Sequence, residues 1–162
     1  FASYRLDYGE GINPTAWTQI GTTRTSPVSN GELGVWDARQ LNGLYSLRLT
    51  VVRGNNSIEE FVIPVTVDNA PPTVDILSPQ DGATFTPADE YVVIQPNVVD
   101  NISMDRVEFY VDGELVATST VAPFNERWMI TNPGRHFIEL RAYDTAGNMT
   151  VSKRLTITVE PD

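Results

Sequence analysis

The sequence predicts an all-β protein made of two tandem β-sandwich modules, the first lacking its first two strands. Three observations carry that expectation. Short runs of alternating apolar and polar residues are separated by Gly, Pro, Asn and Asp, while helical periodicity is nearly absent. The end of the first half recurs, in matched register, at the end of the second. Between the halves stands "VTVDNAPPTVDILSP", in which a β-prone run gives way to a polar, double-proline stretch and then to another β-prone run.

The second half divides into strands in order. Residues 73–77 form the first, and "SPQDGATF" is expected to turn. Residues 91–99 follow, then the loop "DNISM". Residues 106–111 and 115–120 are joined by the tight "DGE" turn, since Asp-Gly suits the left-handed positions of a two-residue hairpin. Residues 126–130, the turn "TNPG", residues 136–143, the turn "DTAGN" and a closing strand over 149–159 complete the set. Seven short strands in about 90 residues suit a β-sandwich.

The first half repeats the end of that pattern. "GLYSLRLTVVRGNNSIEEFVIPVTV" at 43–67 aligns with "GRHFIELRAYDTAGNMTVSKRLTITV" at 134–159. Tyr45, Leu47, Leu49 and Val51 match His136, Ile138, Leu140 and Ala142, and Ile63, Val65 and Val67 match Leu155, Ile157 and Val159. Trp36 and Trp128 stand shortly before the two glycines, and both are expected in cores. Because alternation decides which side chains face inward, matched register implies matched cores. Residues 4–8 correspond to the strand at 106–111, so the first copy has nothing to match residues 73–104. The expected layout is an incomplete module over 1–67, a linker over 68–72 and a seven-stranded module over 73–162. Loss of the second strand should bare core residues and an unpaired edge, through which the chain is expected to self-associate. The prolines of the linker should limit bending.

Composition narrows function. The 162 residues carry a formal charge of −10, which argues against a nucleic-acid partner. Residues 1–67 hold five arginines against six carboxylates, so most of the negative charge lies in the second half. No apolar run approaches the roughly 20 residues needed to span a bilayer. With no cysteine and one histidine, thiolate sites, Cys-His pairs and two-histidine zinc sites fail within one chain. His136 takes the place of Tyr45 and is expected to be structural, its polar tip bonding backbone as in a tyrosine corner. Asp89-Glu90 and Glu59-Glu60 are adjacent in sequence and make poor acid–base pairs, because neighbours on a strand face opposite ways. No enzyme is expected in this stretch.

The residues "PPTVDILSPQDGATF", "VEFYVDGELVATSTVAPFNERW" and "GRHFIELRAYDTAGN" resemble bacterial immunoglobulin-like modules appended to exported enzymes and surface proteins. The first half, with "YRLDYGEGINPTAWTQIG" and "GELGVWDARQLNGLYSLRLTVV", looks like a related module. Such modules are associated with the C-terminal tails of class A penicillin-binding proteins, of glycosyltransferase family 51. The resemblance implies a non-catalytic, extracytoplasmic accessory piece of a larger envelope protein, with peptidoglycan or envelope proteins as partners. A carbohydrate-binding or adhesive module of a surface protein or glycosidase is the alternative.

Two sets of candidate site residues follow. In a seven-stranded sandwich the entering linker and the loops after the second, fourth and sixth strands meet at one pole. That gathers Asp68, Asn69, Asp100, Asn101 and Asp144, oxygen-bearing residues suited to calcium. "DNAP" is also similar to part of the cadherin calcium linker, although no Asp-Arg-Glu or Asp-x-Asp motif accompanies it. Turn formation is the competing role for these Asp and Asn side chains. Trp17, with neighbouring Tyr8, follows the long "GEGINPTA" connection and is the candidate contact for glycan or partner.

Overall fold

The computed structural model describes residues 1–161 and divides the chain into two compact units, Phe1–Asn69 and Ala70–Asp162. Both are β-structured, as the alternation requires. In the first, β1 (Ser3–Glu10), β2 (Thr18–Arg24), β3 (Gly43–Val52) and β4 (Ile58–Val67) form one antiparallel sheet in the order β2-β1-β3-β4. Leu6 lies opposite Leu49, which lies opposite Phe61; Tyr8, Leu47 and Ile63 form the next row. One face of the sheet is therefore apolar. Among the described residues no second sheet lies across it within this unit; residues 25–42 cross instead as irregular chain, bringing Leu33 onto Tyr4 of β1 and Trp36 onto Tyr8 of β1 and Tyr45 of β3.

The second unit is a complete sandwich. One sheet has the order β10-β7-β5, from β5 (Thr73–Ser78), β7 (Tyr91–Val99) and β10 (Glu126–Met129). The other has the order β6-β13-β11-β8-β9, from β6 (Ala83–Phe85), β8 (Met104–Val111), β9 (Glu114–Ser119), β11 (Gly134–Asp144) and β13 (Leu155–Val159), with β12 (Met149–Val151) paired to β11. Val74, Val92 and Ile94 from the first sheet meet Val107, Phe109, Ile138, Leu140 and Ile157 from the second in one buried core, with Trp128 against it. The β8–β9 hairpin turns at Asp112 (φ 54°) and Gly113 (φ 87°), the pair of left-handed residues that Asp-Gly predicts.

The repeat holds at the level of register. Gly43 pairs with Val67 and Gly134 with Val159, while Tyr45 pairs with Val65 and His136 with Ile157. Two predicted details need correction. The "SPQDGATF" stretch is more than a turn, because Ala83–Phe85 runs parallel to β13, held by the Gly82 N–H on the Thr156 carbonyl (2.7 Å) and the Glu160 N–H on the Phe85 carbonyl (2.9 Å). The closing stretch is two strands. Buried Ser152 accepts the Leu140 N–H at 2.9 Å and donates to the Lys153 carbonyl, interrupting the ladder between β12 and β13.

Candidate functional site

The loops after β7 and β11 meet within the second unit, where the Thr145 N–H donates to the Ser103 carbonyl at 3.0 Å. Asp100 and Asp144 stand on these loops with carboxylate oxygens within 4.8 Å of each other. Asp144 is 2% exposed. Its Oδ1 accepts the N–H groups of Ala146 and Asn148, and its Oδ2 accepts the Asn148 side chain at 2.7 Å. Burial pushes its pKa up, but the Asn148 side chain and the backbone N–H groups of the turn outweigh that and hold the carboxyl below its ordinary value. Asp100 Oδ2 closes its own loop by accepting from Ile102 and Ser103, both at 2.8 Å. Its Oδ1 is buried and has no hydrogen-bond donor. Three of the four oxygens thus serve turns and one is uncommitted.

The calcium expectation names three further residues, Asp68, Asn69 and Asn101. Asn101 is exposed on the loop after β7, and Asp68 is half-buried just past β4 in the first unit. Asn69 clasps the first unit's own loop. Its Nδ2 donates to the carbonyls of Ala38 (2.9 Å) and Leu41 (2.8 Å), and its backbone N–H donates to Asn42 Oδ1.

Trp17 and Tyr8 are drawn apart onto opposite faces of the first sheet. The Arg48 guanidinium lies 4.2 Å from the centre of the half-buried Trp17 ring. Arg48 in turn reaches buried Asp7 at 3.2 Å, where Arg5 also binds at 3.0 Å. One indole face is therefore occupied by a cation held in an ion-pair network. Tyr8 points the other way, 5.1 Å from Trp36 and 6.3 Å from Tyr45, ring centre to ring centre. Trp36 joins this aromatic cluster, and Trp128 packs against the second core. Neither the Asp7–Arg48 network nor the Tyr8–Trp36–Tyr45 cluster was singled out from sequence. Its signal was the strand alternation, which sends Asp7 and Tyr8 to opposite faces. The long connection is fixed by Ser46, whose buried hydroxyl donates to the Gly11 carbonyl at 2.8 Å, and by Gly9, where a Cβ would fall 2.4 Å from Pro14.

His136 is buried, with Nδ1 2.7 Å from Asp112 Oδ2 and Nε2 3.0 Å from the Asn132 carbonyl oxygen, and its ring 4.8 Å from Trp128. It joins the hairpin turn to the start of β11, and no hydroxyl nucleophile bonds to it among the described residues. A cleft of about 440 Å³ lies nearby on the outer face of the same sheet. Arg141 stacks 4.2 Å above Tyr110, and Glu139 sits 3.6 Å from Arg141 and 3.7 Å from Arg154. Its charged groups are matched to each other and to aromatic faces, a cross-strand ladder rather than an acid–base pair aimed at an empty centre.

Comparison with known proteins agrees with this architecture. Residues 72–140 match the bacterial Ig domain family. A fibronectin(III)-like module structure of CbhA from Clostridium thermocellum is similar at 25% identity and a TM-score of 0.51, covering 54% of this chain and 96% of that one. A tetra-tandem repeat from the extending region of a large adhesion protein is similar at 16% identity and a TM-score of 0.50, covering 98% of this chain and 42% of that one. No curated protein matches the chain. Fold and comparisons together define the class: an all-β chain of two units, the second an immunoglobulin-like, fibronectin-III-like β-sandwich and the first a single sheet with the same closing strand register. Such modules generally serve as accessory or adhesive domains.

Proposed function

We propose that this chain is a non-catalytic spacer region of a larger bacterial envelope protein, lying outside the cytoplasm and holding other domains at a distance from one another or from the wall. One observation carries the reading. In the second unit the polar side chains most removed from solvent, Asp144, His136 and Ser152, all bond backbone or turns, so buried polarity is spent on building the module. The resemblance of the "VEFYVDG" and "AYDTAGN" stretches supports a class A penicillin-binding protein as parent. Transglycosylase and transpeptidase motifs in the flanking coding sequence would bear this out; adhesin or glycosidase motifs there would replace it. Co-sedimentation with purified peptidoglycan tests the spacer reading, which expects no retention of wild type. Retention lost in Trp17→Ala would instead establish a glycan contact and overturn it.

A second reading rests on the uncommitted, buried Asp100 Oδ1 beside Asp144. An oxygen without a donor in such a place is suited to a calcium ion, which would take further oxygens from the same loops. Thermal melts with millimolar calcium and with chelator test it. The reading expects a calcium-dependent rise in midpoint that Asp100→Asn abolishes, and equal midpoints would end it. Asp68→Asn in the same melt asks whether the linker carboxylate takes part.

A further inference from the structure

The outer face of the larger sheet of the second unit carries arginines stacked on aromatic rings of neighbouring strands. Arg106 lies 3.8 Å from the centre of the Tyr143 ring, and Arg141 lies 4.2 Å from that of Tyr110. Their hydrogen bonding differs. Arg106 is tied down, with Nε donating to Glu108 at 2.9 Å and Nη1 to Asp105 at 2.8 Å. Arg141 and Arg154, which line the cleft of about 440 Å³, donate to no side chain among the described residues. Glu139 oxygens stand 3.6 Å from Arg141 and 3.7 Å from Arg154, too far for a hydrogen bond, and accept none from elsewhere among the described residues. The other carboxylate of the cleft, Asp112, is committed: its oxygens meet His136 and the Phe137 N–H. Two guanidinium groups are thus balanced in charge by Glu139 and Asp112, while Arg141, Arg154 and Glu139 keep their hydrogen bonds unmade.

We propose that this cleft is a sugar-binding subsite that takes one neutral sugar residue through adjacent hydroxyl groups. The inference goes beyond the spacer reading and does not depend on it. Three features select a sugar. First, a hydroxyl both donates and accepts. One hydroxyl accepts from a guanidinium while its neighbour on the ring donates to Glu139, filling the gap these side chains leave between them. Second, the charges lining the cleft cancel, and residues 68–162 carry six cations against fifteen carboxylates, so a free anion is not drawn to it. Third, the lining is mixed. Phe137 is 39% exposed and offers an apolar surface beside the polar groups, and the volume falls in the range of roughly 300–1,000 Å³ typical of small-ligand sites. Arg141 is already held against Tyr110, so little of its side-chain freedom is lost on binding. Arg154 stands at the rim, 5.7 Å from the centre of the Phe137 ring and 64% exposed.

Proton–nitrogen NMR titration of the full chain tests this, with methyl glucoside and N-acetylglucosamine as probes. Each sugar should move the backbone amides of Phe137, Glu139, Arg141 and Arg154 saturably, with a Kd of roughly millimolar order, as suits a ligand of so few atoms. Arg154→Ala and Glu139→Ala should each weaken binding by about 5-fold or more. Arg106→Ala, on the same face but with its hydrogen bonds internal, should bind as wild type does. Acetate and glycine, which carry one charge and two, are the competing probes. No saturable shift up to about 50 mM sugar, equal binding by all three variants, or tighter binding of acetate or glycine would overturn the proposal. Unchanged amide signals away from the cleft separate a lost site from a lost fold. A contact this weak is removed by washing, so the co-sedimentation that tests the spacer reading and this titration fail independently.

Discussion

The two units share a strand register and differ in what lies across it. Among the described residues, Tyr4 is the one buried apolar side chain of the first unit's core, while the second buries Phe109, Ile138, Leu140, Ile157 and their neighbours. Leu49 and Leu140 are repeat partners; the first is half-buried and the second fully buried. Since their own strands pair alike, the difference comes from residues 73–99, which supply β5, β6 and β7 to one unit and have no equivalent in the other. A β-sheet stabilises itself little by pairing alone; burial of one face against another layer does most of the work.

The sharpest way to break that comparison is to truncate the repeat partners. Leu140→Ala should cost about 3–5 kcal/mol, as expected for a fully buried leucine, and Leu49→Ala about 1 kcal/mol or less, measured by urea unfolding at about 1 μM chain. Equal losses would show that the first face is covered after all. Next in size is Asp144→Asn. It replaces a carboxylate that accepts three N–H groups with an amide that presents its own NH₂ to them, and should cost about 1–3 kcal/mol. Asp144 also sets a pH dependence. Its folded pKa lies below the ordinary 3.8, so its contribution is complete above that value and lost as pH falls through the lower folded one. Acid unfolding of the second unit between about pH 4 and 2 should flatten in Asp144→Asn. Hydrogen exchange resolves the units without mutation: amides of β4 should exchange faster than those of β13, which is paired on both sides. The smallest effect is expected at the exposed Arg53–Glu59 pair, where Arg53→Ala should leave the melting midpoint within error.

Much of this was legible in the chain. The alternation at 43–67 and 134–159 identified the paired strands and which residues face inward, because a period of two leaves only one choice of face once one residue is placed. The three-residue strand Ala83–Phe85 was not legible, since its pairing is with residues 157–159, far along the chain, and its local sequence reads as turn. The break at Ser152 was equally hidden, as it depends on a side-chain hydroxyl replacing a ladder bond to Leu140. For the candidate sites, sequence could name Asp100 and Asp144 from turn composition and topology, but not that most of their oxygens are engaged by the turns themselves. Nor could it separate Trp17 from Tyr8. That requires knowing that Arg48 lies over the indole while Tyr8 meets Trp36 across the sheet's other surface.

The parallel pairing of β6 with β13 has a mechanical meaning. These strands stand near the beginning and end of the second unit and run in the same direction, joined through Ala83–Ile157, Thr84–Thr158 and Phe85–Val159. Tension applied to the two ends of the unit draws β6 back along its length and β13 forward along its own. The bonds between them are then sheared together instead of being opened one after another. A short ladder in this geometry resists pulling better than its length suggests, and its yielding would set the force at which the module extends.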